Sequence, residues 1–310
     1  MKKRNSLVRL INFLVLALCL PAVGTGSLSA STAKMHKVMA EGHPMAVWEK
    51  QAKTPKAVVL LLHGRTWSSM PDFDLQVTGE ELSLMDGLVK QGFAVYALDA
   101  RGYGKTPRDA SGWLTPDRAS KDVAIVLRWL TKRHPKLAPP VLFGWSFGSM
   151  VSQLCVQRNP KLVYGVVLFG YPTDPDAKPK LPPEPTKPER KANTAKAAAS
   201  DFITADSISQ KAIKAYVKAC LAADPIRVDW RRLDQWSELN PAKVNVPVLL
   251  LQGEFDPLAK TDAHVRLFTR LATSDRQWVV IPGGDHAAFM ETPRPLFLHV
   301  LGSFVARWEK

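Results

Sequence analysis

The sequence contains little cysteine and no pattern that indicates a metal site. Its 310 residues include three cysteines, Cys19, Cys155 and Cys220. No cluster of cysteine and histidine has the spacing of metal ligands, so we expect no bound metal. Cys155 is expected to be a buried free thiol. The sequence leaves open whether Cys155 and Cys220 form a disulfide.

A positive net charge is present without the motifs of a nucleic-acid-binding protein. The formal charge is +14, of which the first 30 residues supply four basic and no acidic residues, leaving +10. Much of the remaining excess lies in one segment rich in lysine and proline. No basic motif is interleaved with aromatic residues. We therefore expect a solvated basic surface and no nucleic-acid partner.

Long apolar runs are absent after the first 30 residues, where no stretch approaches the 18 apolar residues of a membrane helix. Residues 1–30 have the pattern of a secretory signal peptide, with basic residues first, a short apolar core and small residues up to Ala30. We expect cleavage near Ala30 and a secreted or periplasmic protein, with no stable membrane span after removal of the signal. An uncleaved N-terminal anchor is the alternative.

Short apolar segments alternate with helical patterns through most of the chain. Residues 36–50 are predicted to form one or two short strands, and further strands are predicted at 57–62, 93–98, 141–143, 163–170, 246–251 and 277–281. Helices are predicted at 80–90, 116–133, after 146, at 263–271 and at 295–308. Thr115 is the predicted N-cap of the second helix, and Pro116 is its first residue. Strands alternating with helices predict a mostly parallel sheet with helices on both faces.

This alternation is interrupted between residues 171 and 242. Residues 172–190 contain seven prolines among lysines and acidic residues, a composition that resists regular structure. Residues 194–223 are predicted to be helical, with an apolar face that consists of Ile208, Ile213, Tyr216, Val217 and Leu221. We interpret residues 31–170 and 243–310 as a core, and residues 171–242 as an insertion that forms a cap over the carboxyl edge of the sheet.

A strand, a Gly-x-Ser-x-Gly motif and a helix follow one another at residues 141–155. The motif is GWSFG, residues 144–148, and it has the context of a nucleophile elbow. A side chain at such a sharp turn requires small neighbours, which Gly144 and Gly148 supply. The N-terminus of the next helix points its partial positive charge towards Ser146. Ser146 is therefore the candidate nucleophile.

A serine nucleophile needs a base and an acid that orients the base. Asp256 and His286 each lie five residues beyond a predicted strand, in loops at the carboxyl edge of the sheet, where ligand sites form in open parallel sheets. The chain order Ser146, Asp256, His286 is the order expected for the nucleophile elbow. These residues are the predicted catalytic triad.

Other acidic residues and histidines could take the same two roles. Glu254 is an alternative acid. Asp285 is adjacent to His286, but on an extended backbone its side chain points the opposite way. His63 is an alternative base, although its place in the turn after an early strand favours a role in fixing that turn.

Three further titratable residues are expected to be structural. His264 and His299 fall within predicted helices and are interpreted as surface or packing residues. Asp99 lies at the end of a predicted strand, where with Arg101 and Gly102 it is predicted to form a salt-bridged turn.

Two backbone N–H groups are needed to hold the oxyanion of a tetrahedral intermediate. Phe147, directly after the candidate nucleophile, supplies one in our prediction. Arg65, in the loop after the strand at 57–62, supplies the other, with Thr66 as its neighbouring alternative. Trp67 and Trp145 lie beside the site in sequence and are candidates for an apolar substrate pocket, although core packing is an equal alternative.

Residues from about 57 to 308 resemble the α/β-hydrolase superfamily. The motifs that carry this resemblance are HG at 63–64, DARGYG at 99–104, GWSFG at 144–148, GEFDP at 253–257 and GGDH at 283–286. The resemblance implies an α/β-hydrolase fold, with a mostly parallel eight-stranded sheet, helices on both faces and a helical cap between strands six and seven. It also implies no cofactor.

Within the superfamily, the layout is similar to serine carboxylesterases, lipases and the proline-aminopeptidase-like branch. Epoxide hydrolases and haloalkane dehalogenases carry aspartate where this chain has Ser146. We therefore expect a serine hydrolase that cleaves a small carboxylic ester through an acyl-enzyme. Amide or peptide cleavage and carbon–carbon bond hydrolysis are alternatives. A non-catalytic binding protein is disfavoured because all three triad residues are present. The oligomeric state is not indicated.

Overall fold

The computed structural model describes residues 32–177 and 183–307. The predicted signal peptide at residues 1–30, with its cleavage near Ala30, lies outside the described residues. So do Cys19 and the predicted end of the last helix at residue 308. Within the described part of the chain, no helix is both long enough and apolar enough to cross a membrane.

Eight of the described strands form one central sheet. In chain order the strands are β1 Lys34–Ala40, β2 His43–Gln51, β3 Val58–Leu62, β4 Ala94–Leu98, β5 Trp113–Leu114, β6 Val141–Trp145, β7 Gly165–Phe169, β8 Asp229–Trp230, β9 Val248–Gly253 and β10 Arg276–Ile281. The sheet has the order β1-β2-β4-β3-β6-β7-β9-β10, while β5 and β8 pair separately. Only the β1–β2 and β2–β4 pairs of the sheet are antiparallel. The predicted mostly parallel eight-stranded sheet is confirmed.

Helices cover both faces of this sheet. The described α-helices are α1 Ser69–Phe73, α2 Leu84–Lys90, α3 Pro116–Arg133, α4 Phe147–Arg158, α5 Ala195–Ala199, α6 Gln210–Ala223, α7 Thr261–Arg270 and α8 Arg294–Ala306. Short 3₁₀ helices span Pro160–Leu162, Leu233–Glu238 and Pro241–Lys243. The Thr115 side chain accepts a hydrogen bond from Arg118 N–H, and α3 begins at Pro116 as predicted.

Strand β3, in the middle of the sheet, is apolar at every position because both of its faces pack against apolar clusters. All five residues of β3 are buried. Val59 and Leu61 join the apolar cluster on one face, and Leu60 and Leu62 join the cluster on the other face. Burying a Val or Leu side chain contributes roughly 1.5–3 kcal/mol, so this sandwich provides a stiff base for the loops at its edge.

The insertion contains two helices where one was predicted. The helix expected at 194–223 is interrupted between α5 and α6, where the backbone around Ile203 is used for contacts with the core. The Ser209 side chain then caps α6 by accepting Ala212 N–H. The fully buried stripe of α6 is Ala212, Tyr216 and Cys220, so the predicted apolar face was only partly right.

Cys155 and Cys220 are both free and buried. Cys155 on α4 belongs to the apolar cluster on one face of the sheet, and Cys220 on α6 belongs to the cluster on the other face. The sheet therefore separates the two thiols and prevents their pairing. Burial raises the pKa of the Cys155 thiol to about 12, so this thiol stays protonated and unreactive.

Candidate active site

Ser146 occupies a strained turn between β6 and α4. Its φ is 55° and its ψ is −122°, a conformation that L-residues rarely adopt. A Cβ at Gly144 would lie 2.3 Å from Gly148 O, and a Cβ at Gly148 would lie 2.5 Å from the carbonyl oxygens of Leu62 and His63. A larger residue at position 144 would push the turn apart, and one at position 148 would push it away from the end of β3, which is the steric reason for the Gly-x-Ser-x-Gly pattern.

Asp256 and His286 meet although 30 residues separate them in the chain. His286 Nδ1–H donates to Asp256 Oδ2 over 2.7 Å. Asp256 Oδ1 accepts the N–H groups of Leu258 and Ala259 at 2.9 and 3.3 Å. The carboxylate is therefore held on both oxygens, and the neutral imidazole keeps its lone pair on Nε2.

Ser146 and His286 line a common cavity of about 320 Å³. Trp67 and Trp145 line it as well, so both predicted pocket residues reach the same space. The Trp145 indole N–H also donates to His286 O over 2.7 Å, and the two rings lie 5.4 Å apart. Trp145 thus both borders the cavity and positions the histidine loop.

The two residues named as oxyanion donors border this cavity too. Phe147 is the first residue of α4, where backbone N–H groups have no partner within the helix. Arg65 lies in the loop after β3, and Tyr103 Oη donates to its carbonyl oxygen. The Arg65 guanidinium lies 5.0 Å from the centre of the Phe147 ring. Tyr103 therefore fixes the peptide group between Arg65 and Thr66, whose N–H is that of Thr66, the alternative donor.

Gly170, a residue that the sequence interpretation did not name, lies directly against the Asp256–His286 pair. Its φ is +57°, and a Cβ there would lie 2.9 Å from His286 Cε1 and 3.2 Å from Asp256 Oδ2. It is the residue immediately after β7, so its position at the strand end was the available signal.

The alternative acids and base are engaged elsewhere. Glu254 Oε2 accepts Gly283 N–H, and Asp285 Oδ2 accepts the Ile203 N–H of the insertion. His63 Nδ1–H donates to the Gly64 carbonyl, and its Nε2 accepts Ala100 N–H. Burial lowers the His63 pKa and keeps this ring neutral in its turn.

The two histidines that were expected to be structural lie on helices and do not line the cavity. His264 is buried in α7 beside Trp278, with ring centres 6.0 Å apart, and burial lowers its pKa to about 4. His299 is exposed on α8.

The prediction of a salt-bridged turn at Asp99 was wrong about the partners of this residue. Asp99 does not pair with Arg101; its carboxylate accepts the Trp48 indole N–H and the backbone N–H groups of Ser69 and Lys105. Arg101 instead pairs with the Asp122 carboxylate of α3 at 2.7 Å. The turn is structural, but backbone donors hold Asp99, because the Arg101 side chain reaches the neighbouring helix.

Two carboxyl groups that no motif indicated also line the cavity. Asp72 comes from α1, and Asp201 comes from the insertion. Neither residue lies at a strand end or within a motif, so their proximity could be found only from the fold. In the described residues, no group of three or more His, Cys, Asp and Glu side chains could hold a metal ion.

The sheet order, the elbow and the Asp256–His286 pair at the carboxyl edge define a hydrolase of the α/β-hydrolase superfamily, of the serine-hydrolase type. A family model described as "Serine aminopeptidase, S33" matches residues 53–293. Because this match spans most of the chain, the protein belongs to that family. No curated protein matches the sequence significantly.

Solved structures share the fold at low identity. An esterase from Thermogutta terrifontis with malate bound is 18% identical, with a TM-score of 0.65 over 90% of this chain and 100% of the other. A monoacylglycerol lipase from Paleococcus ferrophilus is 22% identical, with a TM-score of 0.59 and coverage of 84% and 98%. An epoxide hydrolase from Vigna radiata is 17% identical, with a TM-score of 0.64 and coverage of 90% and 99%. This similarity establishes the fold, and the substrate must be argued from the site.

Proposed function

We propose that the protein cleaves carboxylic esters through a Ser146–His286–Asp256 triad and an acyl-enzyme. The observation that carries this proposal is one cavity that is lined both by the strained Ser146 and by His286, a histidine oriented by a buried carboxylate. A neutral imidazole with its lone pair on Nε2 is the form that a general base requires.

The mechanism assigns one step to each group. Ser146 Oγ attacks the ester carbonyl carbon while His286 Nε2 takes the hydroxyl proton, and Asp256 stabilises the imidazolium. The Phe147 and Arg65 N–H groups hold the oxyanion. The intermediate collapses when the carbon–oxygen bond breaks and His286 returns the proton to the leaving alcohol. Water then attacks the acyl-enzyme with the same base and releases the acid.

The cavity supports a small-molecule substrate. Its volume of about 320 Å³ lies at the lower end of the range for ligand pockets. Trp67 and Trp145 give it aromatic walls, which suit a short acyl or aromatic group.

A chromogenic short-chain ester and a fluorophosphonate probe test the proposal. Wild type should hydrolyse p-nitrophenyl butyrate and become labelled, whereas Ser146→Ala should lose at least about 10³-fold in kcat and escape labelling. Ser274→Ala, a change at an exposed serine after α7, is the matched control and should behave as wild type. Full activity of Ser146→Ala would refute the assignment of the nucleophile.

Amide or peptide hydrolysis is the second candidate. It is favoured by the description of the family model, which names a serine aminopeptidase. The chemistry of acyl transfer is the same, and only the leaving group differs. Turnover of an aminoacyl anilide without turnover of the matching ester would reverse the order of the two candidates.

We also propose that the protein is exported, with cleavage near Ala30. The support is the sequence pattern of residues 1–30, and the described part of the chain offers no helix that could span a membrane. Cell fractionation and N-terminal sequencing of the native protein test this, and an intact first residue in the cytoplasmic fraction would contradict it.

A further inference from the structure

A second cavity lies next to the one that Ser146 and His286 line. Its volume is about 620 Å³, and residues of the insertion form most of its wall. Arg65, in the loop after β3, lines both cavities. The two cavities are therefore neighbours at Arg65, and the proposed reaction gives the second one no role.

Aromatic side chains connect the wall of the second cavity to the loop after β3. Trp230 of β8 lines this cavity, and its indole N–H donates to Tyr103 Oη over 2.8 Å. Tyr103 Oη in turn donates to the carbonyl oxygen of Arg65. The Trp230 ring also meets the Phe147 ring edge to face, with centres 5.3 Å apart, and Phe147 lines the cavity of Ser146. A group bound in the second cavity would thus contact the side chains that hold the predicted oxyanion residues.

Most carboxylates in the wall of the second cavity already have a cationic partner. The pairs are Glu184–Arg231 and Asp234–Arg232, each at 3.0 Å, and Asp229–Arg108 at 3.6 Å. Glu189 is the remaining carboxylate of the wall. The cations of the wall that form no ion pair with the described residues are Arg65, Lys191 and Arg227. Residues 178–182, the gap in the described insertion, contain no acidic residue. The wall therefore carries more positive than negative charge.

Arg65 and Arg227 are close enough for their charges to repel each other. Partial loss of water, and then the charge of Arg227, lower the pKa of Arg65 from its usual value. Both guanidiniums nevertheless stay protonated near neutral pH. Neither of them donates a hydrogen bond within the described part of the chain. Arg65 is exposed and Arg227 is partly exposed, so a solute can reach both. Two like charges at one cavity attract an ion of the opposite sign to it.

We propose that Arg65 and Arg227 form a subsite for a carboxylate carried by the substrate. This inference rests on the proposed hydrolase function, because the carboxylate would belong to the same molecule as the carbonyl that Ser146 attacks. A guanidinium has five N–H donors and no acceptor, and its planar fork matches the two oxygens of a carboxylate. The carboxylate also supplies the negative charge that the two arginines lack.

The rest of the wall suits the body of such a substrate. The apolar and aromatic residues of the second cavity include Trp113, Val228, Trp230 and Leu233. They offer contacts to a chain or a ring, while the two guanidiniums fix the charged end. The substrate class is thus a small carboxylic ester with a second, ionised carboxyl group on its acyl or its alcohol part. This group reaches past Arg65 while Ser146 attacks the ester carbonyl.

The first test compares esters of nearly equal shape that differ in charge. One pair consists of the p-nitrophenyl monoester of adipic acid and the p-nitrophenyl ester of adipic acid monoamide, in which the acyl part carries the carboxylate or the neutral amide. The other pair consists of the butanoyl esters of p-hydroxybenzoate and p-hydroxybenzamide, in which the alcohol part carries it. Each kcat/KM is divided by the rate constant for hydrolysis by hydroxide, and Ser146→Ala provides the blank.

In at least one pair, wild type should show a corrected kcat/KM at least about tenfold higher for the carboxylate, the gain expected from a charge-assisted hydrogen bond. This preference should shrink when salt is added, because ions screen the attraction. An equal or lower corrected kcat/KM for the carboxylate in both pairs would overturn the proposal.

The second test removes one positive charge. Arg227→Gln should lower the ratio of kcat/KM for the preferred carboxylate to kcat/KM for its amide about tenfold or more. Arg128→Gln, at an exposed position on α3 outside both cavity walls, is the matched control and should leave the ratio unchanged. The ratio cancels any loss of folded enzyme, since both esters are measured on one preparation. A wild-type ratio in Arg227→Gln would count against the subsite.

A binding measurement separates this inference from the proposed function. Trp113 and Trp230 line the second cavity, so their fluorescence reports binding without turnover. Adipate should change it saturably, the neutral diamide of adipic acid should not, and Arg227→Gln should weaken the response. Adipate binding without hydrolysis of any ester would preserve the subsite and refute the hydrolase function. Hydrolysis of p-nitrophenyl butyrate without adipate binding would do the reverse.

Discussion

The core and the insertion contribute to one cavity in different ways. The core supplies Ser146, Asp256 and His286, each within a few residues of the end of a parallel strand. The insertion supplies Asp201, which follows α5 and whose Oδ2 lies 3.0 Å from Tyr216 Oη of α6. Backbone pairing in the central sheet fixes the core residues, whereas side-chain contacts and the short β5–β8 pair join the insertion to the core.

Hydrogen bonds cross that border at several places. Asp285 Oδ2 accepts the N–H groups of Ile203 and Thr204 at 2.8 and 2.6 Å. On the other side, the Trp230 indole N–H donates to Tyr103 Oη over 2.8 Å. We infer that changes in the core alter the rate for every substrate, whereas changes in the insertion alter which substrate is preferred.

The largest effect on kcat is expected from a change at Asp256, the acid of the proposed triad. Asp256→Asn should lower kcat about 10³- to 10⁴-fold, because an amide no longer holds the Nδ1–H tautomer of His286 and stabilises its cation poorly. Tyr216→Phe, which removes a hydroxyl that contacts Asp72 and Asp201 of the cavity wall, should change kcat for p-nitrophenyl butyrate by about tenfold at most. Steady-state kinetics on both variants provide the measurement.

Folding of the two variants must be checked separately. Asp256→Asn and wild type should show the same near-ultraviolet circular dichroism, since the substitution keeps the shape of the side chain. If Tyr216→Phe lost as much kcat as Asp256→Asn while remaining folded, the inference that the core sets the rate and the insertion sets the substrate preference would be wrong.

The elbow and the order of its partners could be predicted because their causes are local. Gly144 is required by contacts within the turn itself, and Gly148 is required by the carbonyl oxygens of Leu62 and His63, at the end of the neighbouring strand. Asp256 and His286 follow apolar strands whose carboxyl ends must meet in a parallel sheet. Each of these signals lies within about ten residues of the position that it predicts.

The proximity of Asp72 and Asp201, and the contacts between the insertion and the core, could not be predicted because they depend on segments that are distant in sequence. Tyr216 bonds to Asp72 across 144 residues of sequence. Neither residue belongs to a motif, and the helix containing Tyr216 was predicted with a different buried stripe. The predicted salt bridge between Asp99 and Arg101 was wrong for a related reason, because Arg101 pairs with Asp122 on α3.

A smaller effect, on stability, is expected at Glu291, which joins the insertion to the loop that contains His286. Glu291 is buried, accepts Asp285 N–H and Ser207 Oγ–H, and burial raises its pKa from 4.5 to about 8. Between these values, the folded state retains a proton that the unfolded state has lost, so stability falls as pH rises through this window. Glu291→Gln should match wild type near pH 5 and be more stable by about 2 kcal/mol at pH 8. Urea unfolding at both pH values measures this.

The control for this prediction is an exposed glutamate on the neighbouring loop. Glu254→Gln should leave the difference in stability between pH 5 and pH 8 as in wild type, because this residue is exposed. If Glu291→Gln and wild type lost the same stability between the two pH values, Glu291 would not be the protonated group at this border.

The smallest effect is expected at a surface ion pair between the two regions. Arg158 of α4 pairs with Glu238 of the insertion at 2.6 Å, and the Glu238 side chain is 50% exposed. Glu238→Gln should lower the free energy of unfolding by about 0.5 kcal/mol at low salt and by less at high salt, because water and ions screen exposed charges. Arg158 also pairs with Asp117 of α3, which limits the loss further. Urea unfolding at two ionic strengths measures it, with Glu80→Gln as a control at a partly exposed glutamate whose contact with Ser209 involves no cation. A loss above about 2 kcal/mol would mean that the Arg158–Glu238 pair, and not the hydrogen bonds of Asp285 and Glu291, contributes most to holding the insertion on the core.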